Sequence, residues 1–325
     1  MTSQTISSIA ISGEITLNLH SLNNEGGEGN QIVTRQLTIV DKNGEEHTVN
    51  GISGDMFKHI HAGHLVNLAK EKSEQLPLCR NCQEFNANRL SDGRELGERF
   101  KTPKETKDRE VVDAIIDTCV IDDLHGVLIT SIGSTNKNVP RKSVMEFAWT
   151  VGIPGKTNTE SYLHAKFVPD PTDVRGEAGN SGQNLFHRPA NHGVYAFVCS
   201  LDAYRIGYND ITRKYVEADS VDRQERYKAA VQSLISTFLN PRGAMTSSQK
   251  PHITDFKGVV SVSSRSLPAP TISPLNDDYR EQIDKISQEL NKLEPDAIRT
   301  MRFENLGELA EILVEIAGYE PYELG

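Results

Sequence analysis

The chain has no stretch approaching the roughly 20 consecutive apolar residues that span a bilayer. Its start, Met1-Thr2-Ser3-Gln4-Thr5, lacks a charged segment leading into an apolar run. Both absences point away from a membrane and from a secretion signal. Cysteine is scarce, with four among 325 residues, which excludes a disulfide scaffold and suits reduced thiols in the cytoplasm. Aromatic residues make up 6% and hydrophobic residues 37%, a polar composition that still suffices for one large or two modest domains. No phosphate-loop lysine motif, no Gly-x-Ser-x-Gly elbow and no helix-turn-helix signal is present. Phosphate-loop, α/β-hydrolase and helix-turn-helix classes therefore have no support in the motifs.

Basic residues are also in deficit. The net charge of −10 argues at first sight against a nucleic-acid partner. The deficit is local, however. From Leu275 to Gly325, 13 acidic residues face 5 basic ones, so the first 274 residues carry only −2. Short basic clusters there can still line a groove, and the acidic end reads as solvated helical faces.

What is present has the texture of an α+β chain. Ile9, Ile11, Ile15, Leu17 and Leu19 share one parity of a long half-buried strand. A Gly- and Asn-rich loop follows, then a strand over 32–40, a turn at Asp41-Lys42-Asn43-Gly44 and a return over 46–49. Ser53-Gly54-Asp55 then opens a helix with Phe57, Ile60, His64, Leu65 and Leu68 at helical spacing. Lys58, His59 and His61 lie around its first two turns, and a helix start suits an RNA phosphate. An ordinary capped surface helix is the alternative.

Residues 74–109 are polar and without clean periodicity, an insertion carrying some helix. Cys79-Arg80-Asn81-Cys82 within it invites zinc, with Cys119 as third ligand and His61, His64 or His125 as fourth; partly buried thiols without metal are the alternative. Residues 120–129 read as a turn entering a buried strand. Asp122-Asp123 with His125 resembles a metal-assisted nuclease site, although turns commonly use Asp. Strands over 144–151, 161–168 and 194–206 follow. Between the last two lies a turn-rich excursion whose return carries Leu185-Phe186-His187-Arg188, a projecting hairpin or a bystander loop. A helix over 223–239, a breaker-rich loop over 240–252, a short strand over 259–263 and a Pro-rich linker over 266–274 come next. Two helices, 279–293 and 306–317, make an acidic C-terminal cap.

Four motifs in order resemble a known family. They are Leu22-Asn23-Asn24-Glu25-Gly26 with Gly29-Asn30, the run Ile52 to Ala62, the run Cys119 to Gly126, and Val194-Tyr195-Ala196-Phe197. From about Ser7 to about Ser263 the chain resembles the DevR-type backbone subunits of type I CRISPR-associated Cascade complexes, of the RRM-like RAMP superfamily. The resemblance implies an RRM-like (ferredoxin-like) palm with an inserted finger region, a β-hairpin thumb and a helical C-terminal part. The palm strands would start near Ile6, Ile32, Val127, Ser161 and Val194, with the Ser53 and Arg223 helices. The expected divisions are palm at 1–72, 120–168 and 193–266, fingers at 73–119, thumb at 169–192 and the acidic part at 267–325.

The resemblance further implies a subunit that polymerises along CRISPR RNA and presents its spacer to target DNA, in antiviral defence or RNA-guided targeting. Its partners would be that RNA, the DNA through guide pairing, further copies of itself, and large, small and end-capping subunits. Lys58 falls where the family's helix meets the RNA backbone. Asn23, Asn24, Asn30, Ser53, Gly54, His59 and His61 join it as expected RNA contacts. Arg141, Lys142, Arg188, Arg242 and Lys250 would supply charge, and Leu185 and Phe186 would wedge between bases. Base-specific readout is not expected, because pairing reads the sequence. The rival is an RNA-processing endonuclease on the same fold with His59 or His61 as general base. A transcriptional regulator is suggested only by the family's label.

Overall fold

The computed structural model describes residues 4–23, 26–28, 31–32, 34–167 and 183–325. Its strands of more than two residues are β1 (Ser8–His20), β2 (Gln36–Val40), β3 (Glu46–Ile52), β4 (Val127–Ile132), β5 (Thr135–Arg141), β6 (Met145–Phe147), β7 (Thr150–Phe167), β8 (Gln183–Leu201), β9 (His252–Ser263) and β10 (Ile298–Phe303). The helices are α1 (Gly54–Glu71), α2 (Arg80–Gln83), α3 (Arg94–Arg99), α4 (Asp108–Thr118), α5 (Val120–His125), α6 (Arg223–Leu239), α7 (Tyr279–Leu293) and α8 (Leu306–Ile316).

The main sheet runs β10-β9-β1-β8-β7-β3-β2, with β6 also pairing β8. Within it, β1, α1, β6, β8, α6 and β9 form a β-α-β-β-α-β unit. Its strands lie in the order β9-β1-β8-β6, every neighbour antiparallel. That fourth-first-third-second order is the ferredoxin-like palm. The parity of β1 explains how it holds together. Ile9, Ile11, Ile15 and Leu17 are buried and belong to the same core as Phe57 of α1 and Phe238 of α6. Phe197 of β8 lies edge-on to Phe57 at 5.2 Å and to Phe238 at 5.1 Å. The opposite parity is covered too. Ser8 accepts from the amide of Ala269 at 2.9 Å, Ser12 meets Thr271 at 2.9 Å, and Val259 packs with Tyr279 and Ile283 of α7. The Pro-rich segment thus lies along the sheet, and β10 extends the sheet beyond β9.

Several expected elements differ. Residues 120–125 are a helix, not a turn, because Val120, Ile121 and Leu124 all reach the core while both aspartates find buried surroundings. The Val127 strand pairs only with β5 in a separate two-stranded sheet, so it is no palm strand; β6 and the start of β7 take that place against β8. The 32–40 strand is divided, with Ile32 in a two-residue strand and β2 pairing β3 at the sheet edge. The 259–263 strand starts earlier, at His252. The hairpin β7–β8 is continuous from Val151↔Ala196 to Phe167↔Gln183 apart from a register shift between Gly152 and Thr157. The expected thumb tip lies outside the described residues.

Candidate nucleic-acid interface

The start of α1 is built by three local devices. Ser53 caps the helix, its hydroxyl accepting from the Met56 amide at 3.2 Å. Asn23, nearly fully buried, donates to Gly51 O at 2.6 Å and accepts from the Ser53 amide at 3.0 Å. Gly54 lies against β6: a Cβ there would lie 2.2 Å from Phe147 O. Asn23 and Gly54, expected as RNA contacts, therefore have structural work that fixes where α1 begins.

One turn on, half-buried Lys58 opens into a cavity of about 460 Å³ shared with Asp55, His59, Phe85, Arg89 and His125. Arg89, fixed by a 2.8 Å hydrogen bond from Nη1 to Gly126 O, brings a second cation that no motif reading had singled out. Burial and, after it, the Arg89 charge lower the Lys58 pKa. The same two causes lower that of His59, whose ring lies 4.9 Å from Phe85.

His61 points the other way. It is completely buried, with Nε2 2.9 Å from Ala230 O and Nδ1 2.9 Å from His125 Nε2. A carbonyl only accepts, so Nε2 carries the proton and Nδ1 accepts from His125. Burial holds His61 neutral, its pKa lowered to about 4. Neither an RNA contact nor a surface general base is available to it. His64 similarly bonds Asn240 O at 2.9 Å.

Arg141 is another correction. Its side chain is 0% exposed and its Nη2 lies 2.7 Å from Asp123 Oδ1, while Arg226 Nη1 lies 2.7 Å from Asp123 Oδ2. A buried Arg–Asp–Arg group joins α5, β5 and α6; Arg141 is no surface cation. The expected Asp122–Asp123–His125 nuclease set is likewise dispersed. Asp123 serves these arginines, His125 serves His61, and Asp122 lies against Cys79 at 3.6 Å. Cys79, Cys82, Cys119 and Asp122 form a buried group able to hold a metal ion, so a carboxylate, not a histidine, stands fourth.

The remaining expected cations divide. Arg188 sits over the Phe186 ring at 4.7 Å and donates to Ser248 Oγ at 3.1 Å, while His164 stacks on Phe186 at 5.6 Å. The loop bearing exposed Arg242 and Lys250 is tied to Leu22 O through the Ala244 amide at 2.9 Å. The loop therefore bridges the Asn23 corner and the hairpin. Lys142 is exposed and lines a separate cavity with Tyr204 and Asp210. Asn24 and Asn30 lie outside the described residues, as does the side chain of Leu185. Trp149, 41% exposed, stands two residues after Phe147 where the strand passes Gly54, with Arg35 at 5.7 Å over its ring. Being the chain's single tryptophan was its only signal in the sequence.

The palm strand order, with α2 to α4 inserted between α1 and α5 and a long β7–β8 pairing, defines an RRM-like protein. The chain belongs to the family described as CRISPR-associated negative auto-regulator DevR/Csa2, which it matches over residues 11–284. It is 24% identical over 297 residues to the CRISPR-associated protein Cas7/Cst2/DevR of Methanocaldococcus jannaschii, covering 88% of this chain and 90% of that one. A solved chain titled "CRISPR RNA-guided surveillance complex, pre-nicking" aligns with a TM-score of 0.47 at 13% identity, over 98% of this chain and 96% of its own. Another, titled "CRISPR RNA-guided surveillance complex", gives 0.49 at 10%, over 95% and 98%. No helix among the described residues is long and apolar enough to cross a membrane.

Proposed function

We propose that this protein binds the guide RNA of a CRISPR-associated complex as one of several copies along it, presenting the spacer for pairing with target DNA. The observation that carries the reading is the pair Lys58 and Arg89 in one open cavity at the start of α1. Half-buried Lys58, its pKa lowered by burial and then by the neighbouring Arg89 charge, gains most from an anion placed between the two cations, and a backbone phosphate is such an anion. Exposed Trp149 offers a flat face for a base. Phe186, with His164 stacked on its ring and the Arg188 guanidinium over it, adds an aromatic and cationic cluster at the hairpin. Family membership supports the same reading.

The role is binding, without cleavage. Of the two histidines considered as a general base, His61 is completely buried and only His59 reaches the surface. The other subunits of such a complex would dock on the same filament. The test is the mass of complexes reconstituted on guides of two lengths, followed by gel analysis of the RNA after incubation in chelator. Copy number rising in proportion to guide length, with intact RNA, is the expected result. An unchanged copy number or shortened RNA would overturn it.

A further inference from the structure

We infer that Cys79, Cys82, Cys119 and Asp122 together bind one zinc ion in the finger region. Their ligand atoms all lie within 4.8 Å of one another, and all four residues are buried. They come as two pairs of identical spacing, Cys79-x-x-Cys82 and Cys119-x-x-Asp122. Each pair straddles the start of a short helix: Cys79 precedes α2 and Cys119 precedes α5. Residues three apart at a helix start project to one side, so each pair offers two ligands to a common point.

The distances suit the ion. Zinc bonds of about 2.3 Å to sulfur and about 2.1 Å to oxygen at tetrahedral angles put sulfur and oxygen roughly 3.6 Å apart. Cys79 Sγ lies 3.6 Å and Cys82 Sγ 4.0 Å from Asp122 Oδ2. Without an ion the arrangement is hard to account for. Asp122 Oδ1 is buried with no hydrogen-bond partner, and Asp122 is in none of the ion pairs among the described residues. All four cysteines are free thiols, so no disulfide relieves the crowding. Weak thiol donors reach Oδ2 only, and a buried carboxylate oxygen without a partner costs stability unless a cation or donor meets it. A divalent ion with an affinity for thiolate meets all four groups at once.

The site would tie the α2 segment to the α4–α5 corner. Cys82 and Ile121 also line the cavity of Lys58 and Arg89, so the metal would brace one wall of it.

The test uses the full chain, produced with zinc in the medium and kept reduced. Metal analysis should give one zinc per chain. Apo-protein titrated with cobalt should show the visible bands of a tetrahedral site together with thiolate-to-cobalt charge transfer. Asp122→Ala should weaken zinc affinity by at least about tenfold. Asp122→Cys should keep one ion and raise the charge-transfer intensity by about a third, as three thiolates become four. That second variant preserves the ligand count, so it guards against a fold lost for other reasons. Zinc content below about 0.1 per chain, or an iron–sulfur chromophore in its place, would overturn the assignment. Unchanged affinity and cobalt spectrum in Asp122→Ala would remove Asp122 from the ligand set and overturn it equally.

Discussion

Replacing Asp123 by Asn tests the buried charge group that joins α5, β5 and α6. The change is nearly isosteric, so it removes charge with little change of volume. Arg141 and Arg226 are both 0% exposed and each places a guanidinium nitrogen 2.7 Å from this carboxylate. Removing one partner of a buried pair costs about 3–5 kcal/mol, because the other charge is left uncompensated. The two arginines are not equally affected. Arg141 keeps Asp210 at 3.1 Å and carbonyls of Tyr208 and Arg205. Arg226 keeps the carbonyls of Ile116 and Ser220 as hydrogen-bond acceptors, and among the described residues no second ion pair. The loss should therefore be set by Arg226 and come to about 4 kcal/mol, a quarter or more of the ~5–15 kcal/mol that a domain commonly has. Urea denaturation followed by circular dichroism would read it: with a slope of about 3 kcal/mol per molar, the midpoint falls by more than about 1 M. Adding Arg226→Met to Asp123→Asn removes the stranded cation and should recover at least half of the loss. A midpoint shift below about 0.3 M, or a double variant weaker than the single one, would refute this account.

Other outcomes follow from the same geometry. Lys58→Ala should reduce the slope of log affinity for single-stranded guide RNA against log salt by about 0.7 per subunit, with the melting temperature unchanged; a retained slope with lost stability would make Lys58 a fold determinant. Trp149→Ala should weaken RNA binding by about 1–3 kcal/mol at constant fold if a base stacks on the ring, measured by fluorescence anisotropy on a fixed guide. Gly54→Ala places a Cβ against Phe147 O and should cost about 1–3 kcal/mol through displacement of α1. Far-ultraviolet melting curves would detect it, and an unshifted curve would show that the strand yields freely. Stability should also fall with acidity. His61 is held at about 4 against an ordinary 6.5, so between those values the unfolded chain binds the extra proton and the folded one does not. The stability present above pH 6.5 is lost as pH falls towards 4, by about 3 kcal/mol from this group. Urea midpoints that stay flat from pH 7 to 4.5 would contradict it.

The sequence by itself determined the local and periodic features. β1 follows from alternating isoleucines, and α6 from its apolar stripe. The start of α1 follows from Ser53, because a cap needs only a hydroxyl and a free amide three residues on. The ordered motifs also carried the family and with it the palm. Only the tertiary structure decided which polar residues are free to act. Arg141 and Lys142 are neighbours in sequence, yet one is locked between Asp123, which is buried, and Asp210, and the other is exposed. His59 and His61 likewise differ because a helix turns about 100° per residue and carries one ring outward and the other onto Ala230. Arg89 enters the Lys58 cavity from some 30 residues away, and Asp122 meets Cys79 across 43. No local pattern encodes such meetings. Burial and charge pairing are properties of contacts between distant segments, and those exist only once the sheet has brought the segments together.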